Sequence, residues 1–191
     1  QFSYVCPAET PEGHSVGVVK NMASTASVSI FSNPRTVYDY LMALGTLDLL
    51  KKTTIAEKHV GIRLFLNGAW LGTVQPGETM RTIESLRAAK RDCILHPQTG
   101  IIWKLGLKEI WITTEAGRML RPLLYAPALR EVLMNPVIEK SVQELKTWEE
   151  FLLWKTPSGH HLIEYIDPGE TEGCYIAMKH SDVLTDETKT H

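Results

Sequence analysis

Two carboxylates lie on an unusually stiff stretch near the start of the chain. Glu9 and Glu12 fall within the run CPAETPEG at residues 6–13. Its two prolines fix φ, remove two backbone donors and restrict each preceding residue to extended geometry. Gly13 permits backbone angles that other residues avoid, so residues 11–13 are typical of a tight turn. The two carboxylates are therefore held on a defined loop rather than on a mobile arm. The alternative to a functional role is a rigid solvated loop that only connects two elements.

Two adjacent histidines raise the question of a metal site or a Ser-His site. His160 and His161 follow Ser158 and Gly159. No partner at metal-ligand spacing is near them in the sequence, and no GxSxG motif is present. A small hydrolase that uses His160 or His161 remains an alternative with only these histidines in its favour.

Other catalytic signatures do not emerge from the sequence. The three cysteines are odd in number and widely spread, which fits a reducing compartment and provides neither a disulfide framework nor a CxxC zinc pair. No clustered carboxylates suit two magnesium ions, and no Walker A or dinucleotide motif occurs. We therefore assign no catalytic residue and no metal ligand to this chain.

Composition indicates an ordinary globular chain. Hydrophobic residues make up 43% of the 191 residues and charged residues 22%, and the net charge is −2. That charge argues against a free-standing nucleic-acid binder. No run approaches the roughly 20 apolar residues that a membrane span needs. Without an initiator methionine or a signal-peptide pattern, the chain is expected to be an interior piece of a longer intracellular protein.

Charge is unevenly distributed along the chain. Residues 80–130 contain nine Lys or Arg and four acidic residues, whereas seven acids and two lysines follow from residue 161 onward. The basic stretch is interpreted as a solvated face, with contacts to nucleic-acid phosphates as the alternative. The acidic stretch is not expected to touch DNA. Arg118 and Arg121 are predicted to bury their stems and form structural ion pairs rather than to bind substrate.

Periodicity and turn signals predict an α+β fold of short strands and hairpins with a few helices. Asn67 and Gly68 between two β-rich runs predict a type I′ hairpin. Asn33 as N-cap and Gly45 as a stop predict a helix between them, and Thr147 with Glu150 predicts a capping box. A basic helix is predicted over 78–91, with Met80, Ile83 and Leu86 on one face and Lys90 among the basic residues of the rest. Further predictions are strands over 26–31, 101–103, 108–114, 163–167 and 175–178, a short helical turn over 47–50 and a polar loop over 51–58.

Several motifs together resemble one family. CPAETPEG, followed at 17–21 by glycine, two hydrophobic residues, lysine and asparagine, resembles the second-largest subunit of the multisubunit DNA-dependent RNA polymerases, the bacterial β-type chain. FxNGxWxG at 65–72, the basic helix after it and an RPL triplet at 121–123 recur in that family in the same order. The resemblance therefore covers nearly the whole chain. The CPAETPEG form is closer to eukaryotic, archaeal or large-DNA-virus enzymes than to bacterial ones.

The resemblance implies a part of a DNA-directed RNA polymerase, a nucleotidyltransferase, that contributes cleft wall and scaffold and is inactive by itself. The implied cofactor is the Mg²⁺ of the complete enzyme, held mainly by the largest subunit. The implied partners are the largest and other polymerase subunits, the DNA template and the RNA–DNA hybrid, with no membrane. The implied location is the nucleus, or the cytoplasm or a viral factory for a viral enzyme.

The resemblance also implies a site and a division into domains. The segment similar to residues 9–17 faces the active-centre cleft near the RNA–DNA hybrid. Residues 1–30 correspond to the end of the fork region, 31–108 to the first external domain and 109–191 to the second. The alternative function is a stand-alone protein-interaction module without a role in transcription. The residues expected near nucleic acid are Glu9, Thr10, Pro11, Glu12, Gly13, His14, Lys20 and Asn21.

Overall fold

A computed structural model describes residues 3–50 and 60–185, so the predicted polar loop over 51–58 lies outside the described residues. The strands are β1 (Ser27–Val28), β2 (Leu47–Leu49), β3 (Ile62–Leu66), β4 (Ala69–Val74), β5 (Gly100–Lys104), β6 (Glu109–Thr113), β7 (Met119–Leu124) and β8 (Ile163–Ile166). The helices are α1 (Pro34–Leu44), α2 (Thr79–Arg91), α3 (Ala126–Met134), α4 (Pro136–Gln143), α5 (Trp148–Leu153), α6 (Pro168–Thr171) and α7 (His180–Thr185). This mixture of helices and mostly antiparallel strands confirms the predicted α+β class.

The chain forms two compact units. The first comprises the described residues of Gln1–Arg121 and Tyr165–Gly173, and the second those of Pro122–Glu164 and Cys174–His191. The chain passes from one unit to the other within β7 and returns within β8. The expected boundary at residues 108 and 109 falls at the start of β6, which belongs to the same sheet as β2–β5. The three-domain division by family regions stays a prediction.

A five-stranded sheet with the order β2-β4-β3-β6-β5 is the centre of the first unit. Its strands pair antiparallel except β3 and β6, which are parallel. Asn67 and Gly68 join β3 to β4 with φ angles of 48° and 80°, which confirms the predicted hairpin turn. The Asn67 side chain also bonds to the backbone N–H of Thr114 at 2.8 Å and to its hydroxyl at 2.9 Å. The turn is thereby tied to the end of β6.

Helix α1 begins and ends where the sequence predicts. The Asn33 side chain accepts the N–H of Arg35, Pro34 occupies the first turn, and Gly45 adopts a left-handed conformation at the C-terminus. Residues at i, i+4 spacing then face inward, so Val37 and Leu41 are buried. Each such side chain contributes about 1.5–3 kcal/mol through its removal from water.

Helix α2 has a different inner face from the predicted one. Ile83 and Leu86 are buried as expected, but Met80 is 42% exposed. Lys90, predicted among the basic residues outside this face, is 2% exposed because it lies seven residues after Ile83, on the same face of the helix. The core that joins α1 and α2 to the sheet consists of Val37, Leu41, Leu47, Ile62, Leu64, Leu66, Val74, Ile83, Leu86, Ala89, Leu95, Ile101, Ile110 and Ile112.

Three secondary-structure predictions need correction. Residues 47–49 form β2, paired with β4, rather than a helical turn. Only Ser27 and Val28 of the strand expected over 26–31 form a strand, β1. The residue after them, Ser29, is buried, whereas Ile30 is 60% exposed. The Ser29 hydroxyl donates to the Glu115 carbonyl and accepts the Arg118 N–H, so hydrogen bonds rather than apolar burial select this face. Residues 175–178 form no strand.

The second unit contains α3, α4, α5 and α7. Its small core consists of Ala128, Val132, Ile138 and Leu162. The predicted capping box is confirmed at α5, because the Thr147 side chain accepts the Glu150 N–H and the Glu150 side chain accepts the Thr147 N–H. Among the helices that the structure describes, none is long and apolar enough to cross a membrane.

Candidate nucleic-acid interface

Residues 6–21, called here the motif loop, form a compact loop whose ends meet. Val5 and Met22 form an antiparallel bridge at its base. The Cys6 N–H donates to the Asn21 carbonyl at 2.9 Å, and the Ala23 N–H donates to the Tyr4 carbonyl at 3.0 Å. Sixteen-residue segments closed in this way are at the upper size limit of about 16 residues for Ω-loops, which often carry function.

Hydrogen bonds and two glycines define the path inside the motif loop. The Gly17 N–H donates to the Thr10 hydroxyl at 3.3 Å, and the Asn21 amide donates to the Glu9 carbonyl at 3.2 Å. Gly13 and Gly17 have φ angles of 81° and 74°, and an added Cβ would meet no atom within 4 Å at either position. Their requirement is therefore conformational rather than steric. The tightest turn is the 3₁₀ segment Gly13–Ser15.

The candidate residues all lie on this loop, mostly with their side chains in solvent. Pro11 and Asn21 are half-buried, and the other candidates are exposed. The side chains of Glu9, Glu12, His14 and Lys20 make no hydrogen bond or ion pair with residues that the structure describes. The loop thus presents two carboxylates, an imidazole and an ammonium group to whatever lies beside it.

The motif loop is fixed to the rest of the first unit through Tyr4. This side chain is 5% exposed, and its hydroxyl donates to the Ile166 carbonyl at 3.1 Å. The hydroxyl also lies 3.0 Å from Thr171 Oγ1, and the Arg121 guanidinium carbon is 5.3 Å from the ring centroid. Burial raises the pKa of Tyr4, so the hydroxyl retains its proton at neutral pH. The base of the loop therefore contacts the segment around α6.

A buried ionic network holds that segment in turn. Lys90 Nζ lies 2.9 Å from Glu170 Oε1, and Arg118 Nη1 lies 2.8 Å from Asp167 Oδ2. Glu170 also accepts the N–H groups of Ile101 and Asp167. Burial raises the pKa of Glu170 above its usual value, although Lys90 opposes the shift. These charges stabilise structure and are not available to a ligand.

Sequence reasoning missed most of this network, although signals for it are present. Lys90 continues the helical spacing of Ile83 and Leu86, which is the signature of the inner face. Asp167, Pro168 and Glu170 form a capping-box pattern with proline at the first helical position, and the structure contains that capping box. The predicted ion pair of Arg118 is confirmed. Arg121 is 4% exposed, and its guanidinium group lies over the Tyr4 ring.

The basic stretch is largely engaged within the protein rather than solvated. Besides Lys90 and Arg118, Lys104 Nζ lies 4.3 Å from the centroid of the Trp111 ring. Arg130 donates to the Val183 carbonyl in the second unit, and Arg81 pairs with Glu78 on the surface. These contacts weaken the alternative that residues 80–130 form a phosphate-binding face.

The histidine pair makes contacts within the second unit. His161 Nδ1 lies 3.1 Å from the Leu152 carbonyl oxygen, and the His160 ring meets the Tyr125 ring edge-on with centroids 5.6 Å apart. The Ser158 hydroxyl donates to the Glu131 carboxylate. The Ser158 hydroxyl is thereby engaged by a carboxylate, and the assignment of no active-site role to these histidines stays a prediction.

The described residues do not fit the magnesium ions that the family implies. Within residues 3–50 and 60–185, no three His, Cys, Asp or Glu side chains are grouped so that they could hold a metal ion. The carboxylates of Asp167 and Glu170 are committed to Arg118 and Lys90. No step proposed below passes through a metal ion.

Comparison with known proteins identifies the family. Residues 1–28 match the family model of RNA polymerase Rpb2, domain 3, and residues 64–126 match that of RNA polymerase Rpb2, domain 4. The chain is 30% identical over 188 residues to the DNA-directed RNA polymerase II subunit RPB2 of Encephalitozoon cuniculi. It is 30% identical over 179 residues to the DNA-directed RNA polymerase subunit 2 of Acanthamoeba polyphaga mimivirus, and 29% identical over 203 residues to subunit Rpo2 of Sulfolobus acidocaldarius.

These matches cover most of this chain but a small part of each relative. They include 98%, 93% and 98% of the chain, respectively, and 16%, 14% and 17% of the three relatives. The chain belongs to the family of second-largest subunits of multisubunit DNA-directed RNA polymerases. Its matched relatives are eukaryotic, archaeal and viral, as the form of the CPAETPEG motif predicts.

Proposed function

We propose that this chain acts as a portion of the second-largest subunit in a DNA-directed RNA polymerase, a nucleotidyltransferase that copies DNA into RNA. The observation that carries the proposal is the match to polymerase subunits along 98% of the chain. Its partners are then the largest subunit, other polymerase subunits, the template and the RNA–DNA hybrid. Catalytic Mg²⁺ belongs to the complete enzyme, held mainly by the largest subunit. The location is the nucleus, or the cytoplasm or a viral factory for a viral enzyme.

Within that enzyme, the motif loop forms part of the wall of the active-centre cleft, and the remaining residues contribute outer scaffold. Two features of the loop support this role. Its polar side chains are exposed at Glu9, Glu12 and His14, while its base is fixed through the buried Tyr4. Electric fields act strongly in a narrow cleft of low dielectric constant, so the position of a charged group there has a large effect. A stiff loop that holds unpaired charged side chains in fixed positions suits such a cleft.

The sign of the charges indicates what the loop does in the cleft. Carboxylates at Glu9 and Glu12 repel phosphates, so they do not serve as backbone-binding groups for nucleic acid. Lys20, the Thr10 hydroxyl and the Asn21 amide are groups of the kinds that bind phosphate or sugar. We therefore assign Glu9 and Glu12 to contacts with mobile protein elements beside the hybrid, and Lys20, Thr10 and Asn21 to the nucleic acid.

The test uses the complete polymerase. Glu12→Ala and His14→Ala are expected to change elongation rate or pausing on a defined template while subunit assembly stays intact. Arg87→Ala, a half-buried position on α2, is the matched control and is expected to change neither. Assembly is followed by co-purification with the largest subunit, and elongation over a range of nucleotide concentrations.

Two outcomes would contradict the proposal. Unchanged elongation in both motif-loop variants would limit the loop to a structural role and remove the cleft assignment. Failure of the wild-type subunit to co-purify with a largest subunit would instead favour a protein-interaction module without a role in transcription.

A further inference from the structure

Tyr4 stands at the junction between the motif loop and the buried network of the first unit. Its carbonyl accepts the Ala23 N–H at the loop base, next to the bridge between Val5 and Met22. Its side chain contacts a different segment, because the hydroxyl donates to the Ile166 carbonyl and lies close to Thr171 Oγ1. One residue thus links the base of the loop to a segment that is 162 positions away in the sequence.

The segment that receives the Tyr4 hydroxyl is itself tightly held. Asp167 begins α6 as N-cap and pairs with Arg118, while Glu170 pairs with Lys90 at the centre of the unit. Side chains held by several buried polar contacts have one defined position, since each lost contact leaves an unsatisfied group. The hydroxyl of Tyr4 therefore bonds to a rigid support.

Among the residues that the structure describes, little else defines the orientation of the motif loop. Pro7 to Thr10 and Glu12 to Lys20 are all exposed, and three valines at 16, 18 and 19 are 57%, 78% and 52% exposed. Its internal hydrogen bonds fix the shape of the loop but not its direction relative to the unit. Direction comes from the base, where Tyr4 is the buried residue.

We infer that Tyr4 is a positioning residue for the polymerase reaction: its hydroxyl bond to Ile166 fixes the base of the motif loop on the end of β8, beside α6, and so fixes the direction in which Glu12 and His14 point. This role rests on the proposed function, because it assumes that the loop acts at the cleft. Tyr4 does not touch substrate in this role, and it acts through the loop.

The chain offers a closely matched control for Tyr4. The Tyr40 hydroxyl donates to the Ser85 carbonyl at 3.1 Å, the same length and type of bond as that of Tyr4, but between α1 and α2. Tyr4→Phe and Tyr40→Phe each delete one oxygen and one tyrosine-to-carbonyl bond. A second variant, Thr171→Val, removes the neighbouring hydroxyl from the α6 side.

The experiment compares these variants in the complete polymerase. Because displacements of about 1 Å near reacting groups can cost up to ~100-fold in rate, we expect Tyr4→Phe to change elongation or pause escape about two- to tenfold. Thr171→Val should change them in the same direction, and Tyr40→Phe should leave them unchanged. Amide hydrogen exchange at Cys6 and Ala23 should accelerate in Tyr4→Phe but not in Tyr40→Phe.

The outcomes separate this inference from the proposed function. If Glu12→Ala alters elongation but Tyr4→Phe changes neither elongation nor exchange at the loop base, the positioning role is wrong and the cleft assignment stands. If exchange accelerates in Tyr4→Phe while no loop variant affects elongation, Tyr4 positions the loop but the cleft assignment is wrong. If Tyr40→Phe has the same effects as Tyr4→Phe, the effect is one of general stability and the inference is overturned.

Discussion

Lys90 Nζ lies 2.9 Å from Glu170 Oε1, although 80 residues separate them in the sequence. Their side chains are only 1% and 5% exposed. The Glu170 carboxylate also accepts the N–H groups of Ile101 and Asp167, so it forms hydrogen bonds with both β5 and the start of α6. Removal of one partner leaves the other as an uncompensated buried charge, which costs far more than the net contribution of the intact pair.

Lys90→Met is therefore expected to lower the free energy of unfolding by about 3–5 kcal/mol. Methionine keeps much of the packing of the lysine stem but leaves Glu170 without its cation. Urea unfolding of wild type and variant at neutral pH measures the difference. The control is Arg81→Met on the same helix, whose pair with Glu78 is 65% and 45% exposed. Because such exposed pairs contribute about 0–1 kcal/mol, equal losses in the two variants would contradict the buried pair.

His96 provides a pH-dependent contribution to stability. Its Nδ1 accepts the Gln98 N–H at 3.2 Å, which requires the neutral ring, and burial lowers its pKa below 6.5. The folded state thus disfavours the proton, so this contribution is present above pH 6.5 and is lost as pH falls through the lower folded value. His96→Asn keeps a side-chain acceptor but does not titrate. Between pH 6.5 and the lower folded-state pKa, the unfolding free energy of this variant should fall less steeply with decreasing pH than that of the wild type. An unchanged slope in that range would contradict this assignment.

The parts of the fold that the sequence predicts well depend on local chemistry. The turn at Asn67 and Gly68 requires two positive φ angles, and few other residue pairs adopt them. The ends of α1 follow from Asn33 and Gly45, whose effects act within one helical turn. The capping box at Thr147 has the same local origin. In each case, the residues that specify the structure are its immediate neighbours.

The parts that the sequence does not predict depend on distant partners. Residues 47–49 become β2 only because β4 pairs with them, and helical propensity alone favours a turn there. Ser29 is buried instead of Ile30 because its hydroxyl bonds to residues 86 and 89 positions away. Lys90 is buried because Glu170 is its counter-ion. For the candidate site, the motif identifies the loop, whereas the support from Tyr4 becomes evident only in three dimensions.

Gly68→Val should destabilise the first unit through backbone strain. Gly68 has a φ angle of 80°, and an added Cβ would meet nothing within 4 Å, so no steric contact contributes. A β-branched residue forced into this conformation costs about 1–3 kcal/mol. Thermal or urea unfolding measures the loss. Gly106→Val is the control, because its surroundings are equally open and its φ is not positive. Equal stability of the two variants would mean that the turn tolerates the strain.

Gly100→Ala tests the opposite situation, in which space rather than conformation requires glycine. Gly100 has no positive φ, but an added Cβ would lie 2.5 Å from Asp167 Oδ2 and 2.6 Å from Arg118 Nη1. The methyl group would therefore separate the pair or displace β5, and overpacking of this kind costs about 1–3 kcal/mol. Gly77→Ala, where a Cβ meets nothing within 4 Å, is the control and should leave unfolding nearly unchanged.

A double-mutant cycle shows whether the ion pair is the reason for that cost. Asp167→Ala removes the carboxylate nearest to the added methyl group, so part of the space that Gly100→Ala needs becomes available. The two substitutions should then be non-additive, with the double variant more stable than the sum of the single losses by at least about 0.5 kcal/mol. Urea unfolding of the four proteins gives this coupling energy. Additive losses would show that Gly100→Ala acts on β5 itself and that the pair between Arg118 and Asp167 does not require a glycine beside it.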